Sequence, residues 1–191
     1  LFMNWDKMQP RPYDKEDVDP YTRCRVILMN GAEFEAQWFS RNFSRHCPDN
    51  ELRRELALSR RSEQQQQKRI SALKPKEESI LEHTIGYEQL AVDLTCALAR
   101  QETDCNVINA LHLALLEDFD HLYRYSNLLN LEYGVYPEKI TGGYTEITPG
   151  RPTISEHRFP TDSICHYADN RSADLKTKLN IGIITAAEQQ T

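Results

Sequence analysis

Six polar residues repeat along this chain at a constant offset of 55, and this repeat constrains the fold more than any other feature. No insertion or deletion separates the two copies, and neighbouring residues agree as well, since Gly31 falls on Gly86 and Leu56 on Leu111. Each copy places two acidic residues 30 positions apart and a further polar side chain three positions later. The pattern predicts a duplicated unit whose polar positions are Glu33, Glu63 and Gln66 in the first copy and Glu88, Asp118 and His121 in the second.

The composition narrows the class of protein. With 191 residues, 39% hydrophobic and 27% charged, the chain is long enough for one bundle-sized core and ordinary for a globular protein. No apolar run approaches the ~18 residues of a membrane span, and the first residues lack the basic-then-apolar order typical of a signal peptide. A net charge of -6 disfavours nucleic acid and anionic membranes as partners. Five scattered cysteines without a Cys-x-x-Cys pair indicate neither disulfides nor a zinc site. We expect a cytoplasmic protein.

Helix signals divide the chain into four regions. Residues 1–20 hold three prolines and should form an irregular arm, whereas 21–136 should form four helices at about 21–46, 50–73, 77–101 and 104–132. Glycines and prolines then predict an extended strap over 137–171. A last helix is expected over 172–191, where Ala187-Glu188-Gln189 resembles Ser62-Glu63-Gln64. Because no breaker precedes Thr191, we expect further helical sequence beyond it.

The repeated polar residues interrupt apolar stripes on the predicted helices. Steps of three and four place Glu63 and Gln66 in line with the apolar positions of the second helix, and the other helices repeat this pattern. The midpoints of Glu33 with Glu63 and of Glu88 with Asp118 both fall in predicted turns. At ~1.5 Å per residue, all four carboxylates lie about 22 Å from their turns. The full stripes are Val26, Met29, Glu33, Ala36, Ser40 and Phe43; Leu52, Leu56, Ser59, Glu63, Gln66, Ile70 and Leu73; Leu81, Ile85, Glu88, Ala91, Thr95 and Leu98; and Leu111, Ala114, Asp118, His121, Tyr125 and Leu128.

Four carboxylates at one level of a core require positive charge, since buried ions are costly and repel each other. Two divalent metals would supply it, because carboxylates and imidazole suit iron or manganese. The layout resembles the ferritin-like di-iron or di-manganese carboxylate superfamily, the rubrerythrin and bacterioferritin type of four-helix bundle. In that family two helices give one Glu each and two give Glu-x-x-His. The resemblance covers about 21–132.

The resemblance implies a metal ligand set with two departures. Glu33 and Glu88 match the single glutamates, Glu63 with Gln66 matches one Glu-x-x-His with Gln for His, and Asp118 with His121 matches the other with Asp for Glu. Gln is a weaker, neutral ligand, so the metal beside it would bind less tightly. Supporting groups are expected in Glu117, which also offers an alternative ligand register, and in Tyr87 and Tyr125.

The implied fold is all-α, a ferritin-like four-helix bundle built from two repeated antiparallel helix hairpins, with the N-terminal arm and the C-terminal strap and helix outside it. That fold needs a long crossover after its second helix, and the link at 74–76 is short. Either the second helix ends early, near Lys68, or the bundle is plain up-down-up-down.

The implied function is a di-metal oxidoreductase acting on dioxygen, peroxide or ferrous iron, with two Fe or Mn ions as cofactors. No catalytic residue beyond the metal ligands is expected, and the pattern is compatible with a homo-oligomer. The opposing hypothesis is a metal-free helical scaffold or interaction protein, in which Arg60 or Arg124 neutralises the carboxylates in a buried salt-bridge network.

Overall fold

The structure is a computed structural model that describes residues 10–142 and 172–188. Every regular element in these ranges is a helix, which confirms the all-α class. The chain divides into two compact units, Leu1–Glu78 and Ser79–Thr191, and each is described by itself. The helices are α1 Pro20–His46, α2 Asn50–Ser71, α3 Ile80–Gln101, α4 Cys105–Tyr133, α5 Glu138–Thr141 and α6 Leu175–Glu188.

The first unit is an antiparallel hairpin of α1 and α2 whose ends follow from their capping residues. Asp19 accepts a hydrogen bond from the Thr22 backbone N–H at 2.9 Å, and Pro20 occupies the first helical position. Asp49 caps α2 through the backbone N–H groups of Glu51 and Leu52. Residues 10–19 precede α1 without forming a helix. α2 ends two residues earlier than predicted, because turn-type bonds close its last turn before Pro75.

The apolar stripes predicted for this hairpin are only partly correct. Met29, Phe43 and Leu52 are exposed, and α2 contains no buried residue. The buried positions of α1 include Cys24, Ile27 and Gly31 instead. Two helices cover each other along one narrow strip, so a hairpin by itself cannot bury a full stripe on each helix.

The second unit begins with the α3–α4 hairpin. A capping box starts α3, because the Ser79 hydroxyl accepts from the Glu82 N–H and the Glu82 carboxylate accepts from the Ser79 N–H. Because of this cap, α3 begins at Ile80, three residues later than predicted. Asp104 caps α4, and Gly134 ends it in the left-handed conformation at a φ of 65°.

The stripes predicted for the second hairpin agree better with the structure. On α3, five successive stripe positions from Ile85 to Leu98 are buried. On α4, Leu111 and Asp118 are buried as predicted, but Leu128 is exposed and Leu129 takes its place. An α-helix drifts ~20° per seven residues, so a stripe of sevens leaves the buried face after a few turns.

Two apolar clusters among the described residues join the helices of the second unit. One joins Ile85 and Val92 of α3 to Leu122 and Leu129 of α4 and to Ile140. Ile140 belongs to α5, so residues 138–141 are helical where an extended strap was expected; positions 143–171 of that strap lie outside the described residues. The other cluster is Leu98, Val107 and Leu111, against which Ile181 and Ile184 of α6 pack. Among the helices described, none is long and apolar enough to cross a membrane.

Candidate metal centre

Three repeated residues of the second unit converge between α3 and α4. Glu88, Asp118 and His121 each offer one ligand atom, and these atoms all lie within 4.8 Å of one another. Glu88 is 4% exposed and Asp118 is 5% exposed, whereas His121 is partly open to solvent. The hairpin explains the convergence, because Glu88 and Asp118 are equidistant from the turn at 102–104 and so lie at one level of an antiparallel pair.

Hydrogen bonds orient the members of this centre. His121 Nδ1 lies 3.5 Å from Glu88 Oε2, a distance that permits an ion pair when the imidazole is protonated. Thr95, which is fully buried one turn beyond Ala91 on α3, donates from Oγ1 to Asp118 Oδ2 at 3.2 Å. The ring of Tyr125 lies one turn further along α4, with its centroid 6.5 Å from that of His121. The carboxylates are therefore positioned by neighbours from both helices.

The charges in this centre interact strongly. Burial raises the pKa of Asp118, the negative charges of Glu188 and Glu88 raise it further, and the Thr95 hydrogen bond and His121 partly oppose them, which gives a pKa of about 7. The pKa of His121 is raised mainly by its hydrogen bond to Glu88, against the effect of burial. Protein groups alone thus stabilise a protonated centre near neutral pH, and a bound cation would favour the ionised carboxylates instead.

The first unit contains the matching cluster. Glu33 of α1 and Glu63 of α2 share a hydrogen bond, and both are half-buried. With the Gln66 amide oriented so that its nitrogen faces the carboxylates, it donates to Glu63 Oε2 and to Glu33 Oε2 at 3.0 Å each. Desolvation, the hydrogen bond with Glu63 and the charge of Glu63 raise the pKa of Glu33 to about 7. Gln66 therefore clamps a carboxyl pair rather than presenting its oxygen to it.

Each hairpin thus brings together the residues that the repeat singled out in its own copy. The predicted supporting residues lie in the second unit: Glu117 is half-buried one position before Asp118, and its charge raises the pKa of His121. Tyr87 stacks edge-on against His83 with centroids 4.8 Å apart, and burial raises its pKa. Clustering of all six positions in one site stays a prediction, since each unit is described separately.

Arg60 and Arg124, the two arginines of the scaffold hypothesis, have different surroundings. Arg124 donates from Nε to Asp120 Oδ2 at 2.6 Å, one turn back along α4. Asp120 is fully buried, and the sequence reading did not single it out, although its spacing of four residues from Arg124 is a recognisable ion-pair signal. Arg60 is half-buried on α2.

Two glutamates of the second unit, one acting on the centre and one at the end of α3, were not predicted from the sequence. Glu188 ends α6, and its charge acts on both Asp118 and His121. Glu102 caps α3 and is buried, where it accepts hydrogen bonds from Thr177 Oγ1 at 2.7 Å and from Asn180 Nδ2 at 2.9 Å. The weak resemblance between the segments around Glu188 and Glu63 was the one signal for Glu188. No local pattern predicts the contact between Glu102 and α6, because its side-chain partners lie more than 70 residues away.

The donor set of the second unit suits a divalent transition metal. Two carboxylates and one imidazole are ligands of manganese, iron and zinc, and they come from two rigid helices. Ligand bonds of ~2.2 Å require donors at most ~4.4 Å apart, so shifts of a few tenths of an ångström would complete the site. Comparisons with protein-family profiles, curated proteins and solved structures find no match to this chain. The geometry of the residues therefore carries the functional argument.

Proposed function

We propose that this protein is a metal-dependent oxidoreductase of the ferritin-like type, which binds two iron or manganese ions and acts on dioxygen, peroxide or ferrous iron. The observation that carries the proposal is the convergence of Glu88, Asp118 and His121 within 4.8 Å in a largely buried position. Two buried carboxylates beside one imidazole are costly without a compensating cation.

The second metal position of this proposal is the Glu33–Glu63–Gln66 cluster of the first unit. It repeats the hairpin geometry of Glu88 and Asp118, with an amide in place of the imidazole. The resemblance to the ferritin-like family implies that this cluster supplies ligands for the second metal. The exposed apolar residues of α1 and α2, among them Met29 and Leu52, are consistent with hairpins that have further surface to bury.

The metals would supply binding and reduction of an oxygen species or oxidation of ferrous iron. The chain's own residues have definite tasks in this proposal. Glu88 and Asp118 would neutralise the ions, Thr95 would hold the Asp118 carboxylate in place, and His121 would bind through a ring nitrogen. The buried side of α3 would exclude water, which limits the escape of reactive products.

A metal titration tests the proposal. Chelator-treated protein is dialysed against Mn(II), and separately against Fe(II) without oxygen, and bound metal is quantified. We expect His121→Ala to weaken binding by more than about tenfold, since a ligand should matter at least as much as the groups supporting it. His112→Ala is the matched control, because it removes an exposed histidine of the same helix. Loaded protein should then consume oxygen or peroxide faster than the His121→Ala variant.

The competing function is a metal-free scaffold, and two observations favour it. The Glu88–His121 contact and the Gln66 clamp already give the carboxylates internal partners. A scaffold predicts that wild type and both histidine variants bind Mn(II) and Fe(II) equally weakly. That result would overturn the oxidoreductase proposal.

A further inference from the structure

A crevice opens between the beginning of α3 and the end of α4, at the end of this hairpin that lies away from the turn at 102–104. Its volume of about 420 Å³ falls within the ~300–1,000 Å³ typical of small-molecule sites. The crevice is therefore large enough for one ring with a short side chain. Its walls belong entirely to the second unit and consist of Ser79, Ile80, Leu81, Thr84, Tyr125, Leu128, Glu132 and Tyr133.

Helix spacing makes this crevice a continuation of the seam that holds the candidate centre. Thr84 lies four residues before Glu88 on α3, and Tyr125 lies four residues after His121 on α4. Leu128 follows three residues later, and steps of three and four keep such residues on one side of a helix. The ring centroid of Tyr125 is 6.5 Å from that of His121, so this residue borders both places. The crevice thus begins about one helical turn from the centre.

The walls of the crevice are mainly apolar and open to solvent. Leu81 and Tyr125 are half-buried, Leu128 is 45% exposed and Ile80 is 89% exposed. The Thr84 hydroxyl donates to the Ile80 carbonyl oxygen at 2.9 Å, so its hydrogen bond is made within α3. A ligand with an apolar body would cover this surface and remove it from water, which favours binding.

The mouth of the crevice is acidic. Among the lining residues, all of which lie in the described part of the chain, Glu132 is the one charged side chain. Glu132 is exposed and forms no ion pair with any residue in the described ranges. The last turn of α4 contains no basic residue, so α4 does not neutralise the negative end of its own dipole. Across the mouth, α3 begins with the Glu82 carboxylate bonded to the Ser79 N–H. This arrangement favours a positively charged group.

We propose that this crevice is a binding site for a small organic cation, whose apolar body lies against Leu81, Tyr125 and Leu128 and whose protonated amine lies beside Glu132. The exposed ring of Tyr133 can contact the same amine through its π face. The inference does not depend on a metal, because none of these residues is among the proposed metal ligands. An ammonium–carboxylate contact in an open crevice is weak, so we expect selectivity for a cation rather than high affinity.

The test uses three compounds that share a phenyl ring and differ in charge: phenethylamine, phenethyl alcohol and phenylacetate. Calorimetric titration of the full chain at physiological ionic strength measures their affinities, and amide chemical shifts of isotope-labelled protein locate them. We expect the amine to bind at least about threefold more tightly than the alcohol, and phenylacetate to bind most weakly. The shifts should concentrate at 79–84 and 125–133.

Two pairs of variants separate the charge from the apolar walls. Glu132→Gln should weaken amine binding at least about twofold and leave the alcohol unchanged. Glu138→Gln, at an exposed position of α5 outside the lining, is the charge-matched control and should change neither affinity. Leu128→Ala should weaken both compounds at least about threefold, because it removes apolar contact. Leu131→Ala, at an 80% exposed position outside the lining, should have no effect.

Circular dichroism establishes that each variant is folded. Equal affinities for the amine and phenylacetate would overturn the proposal, as would equal amine binding by Glu132→Gln and Glu138→Gln. Chemical shifts that change only outside 79–84 and 125–133 would overturn the location. If wild type binds no amine, the proposal is overturned, and a wild-type dimer that Leu128→Ala dissociates would identify the crevice as an interface between copies. These measurements use chelator-treated protein, so their failure leaves the proposed metal-dependent function standing.

Discussion

The contact between Glu102 and α6 allows a stability prediction worked from individual hydrogen bonds. The carboxylate accepts from Thr177 Oγ1, Asn180 Nδ2 and the backbone N–H groups of Thr103 and Asp104. Glu102→Ala removes all four acceptor contacts. Thr103 is exposed, so water can replace the acceptor for its N–H group. Thr177 and Asn180 are only 2% and 6% exposed, so their donors would be left unsatisfied as long as α6 stays docked.

The expected magnitude follows from those two buried donors. Leaving a buried donor without a partner costs about 1–3 kcal/mol, so the docked state of α6 should lose about 2–6 kcal/mol in Glu102→Ala. Glu102→Gln keeps one acceptor oxygen and should lose about half of that. We expect α6 to undock locally when the loss exceeds its packing energy from Ile181 and Ile184.

Hydrogen exchange of the α6 amides, together with urea denaturation, measures the effect. Amides at 177–184 should exchange faster in Glu102→Ala by at least about thirtyfold, the equivalent of 2 kcal/mol. Glu132→Ala, an exposed glutamate of α4, is the control and should change neither measurement. If Glu102→Ala and Glu132→Ala exchange at the same rate over α6, Glu102 does not hold this helix.

The same residue predicts a pH dependence of defined sign. Hydrogen bonds from the backbone, Asn180 and Thr177 outweigh desolvation and lower the pKa of Glu102 to about 2 from an ordinary value of 4.5. A carboxylate with a lowered folded-state pKa stabilises the fold above its unfolded pKa and loses that contribution as the pH falls through the folded value. Between pH 5 and pH 2, α6 protection should therefore fall more in wild type than in Glu102→Gln. An equal loss of α6 protection in wild type and Glu102→Gln would contradict the lowered pKa of Glu102.

Three further outcomes test the centre and its repeat. If metal neutralises Asp118, whose pKa without metal is about 7, metal-loaded protein should melt at a higher temperature than chelator-treated protein at pH 8. This difference in melting temperature should narrow below pH 7, because protons compete with the metal for the same oxygens. Identical differences at pH 8 and pH 5.5 would count against metal at this position. In chelator-treated protein at pH 8, Glu33→Gln should raise the melting temperature by about 2–4 °C, equivalent to ~1 kcal/mol after allowance for solvent screening. At pH 4 it should have no effect, because a carboxyl whose pKa is raised to about 7 stabilises the fold only while it is protonated. Glu55→Gln, at an exposed position of α2, is the control, and an equal shift in both variants would argue against a carboxyl pair. Gln66→His should raise Mn(II) occupancy, since imidazole binds metal better than an amide, and unchanged occupancy would argue against a metal at the first cluster.

The polar repeat and the turn positions made part of the candidate centre predictable. Equal distances from a turn place two residues of an antiparallel hairpin at one level, which correctly paired Glu33 with Glu63 and Glu88 with Asp118. The spacing of three residues then brought Gln66 and His121 to the same side of their helices. These are local consequences of helix geometry, so they need no knowledge of tertiary packing.

The apolar stripes correctly predicted buried residues only where other helices pack on the expected side. Periodicity identified the buried face of α3, because Ile85 to Leu98 pack within a unit that also contains α4, α5 and α6. The same periodicity was wrong for Met29 and Leu52, since which part of an amphipathic surface is covered depends on the partner. The four-helix bundle itself stays a prediction.

The sequence by itself determined the helices and the two polar clusters, because caps such as Asp19, Ser79 and Asp104 and the three-and-four spacing act within a few residues of the chain. The tertiary structure decided what surrounds those clusters. Glu102 meets Thr177 and Asn180 across more than 70 residues, and α6 thereby brings Glu188 towards Asp118. Such long-range contacts depend on the sum of many packing energies, which no short pattern encodes. Local spacing can therefore predict which residues meet within a hairpin, whereas contacts with a distant helix form only when that helix docks.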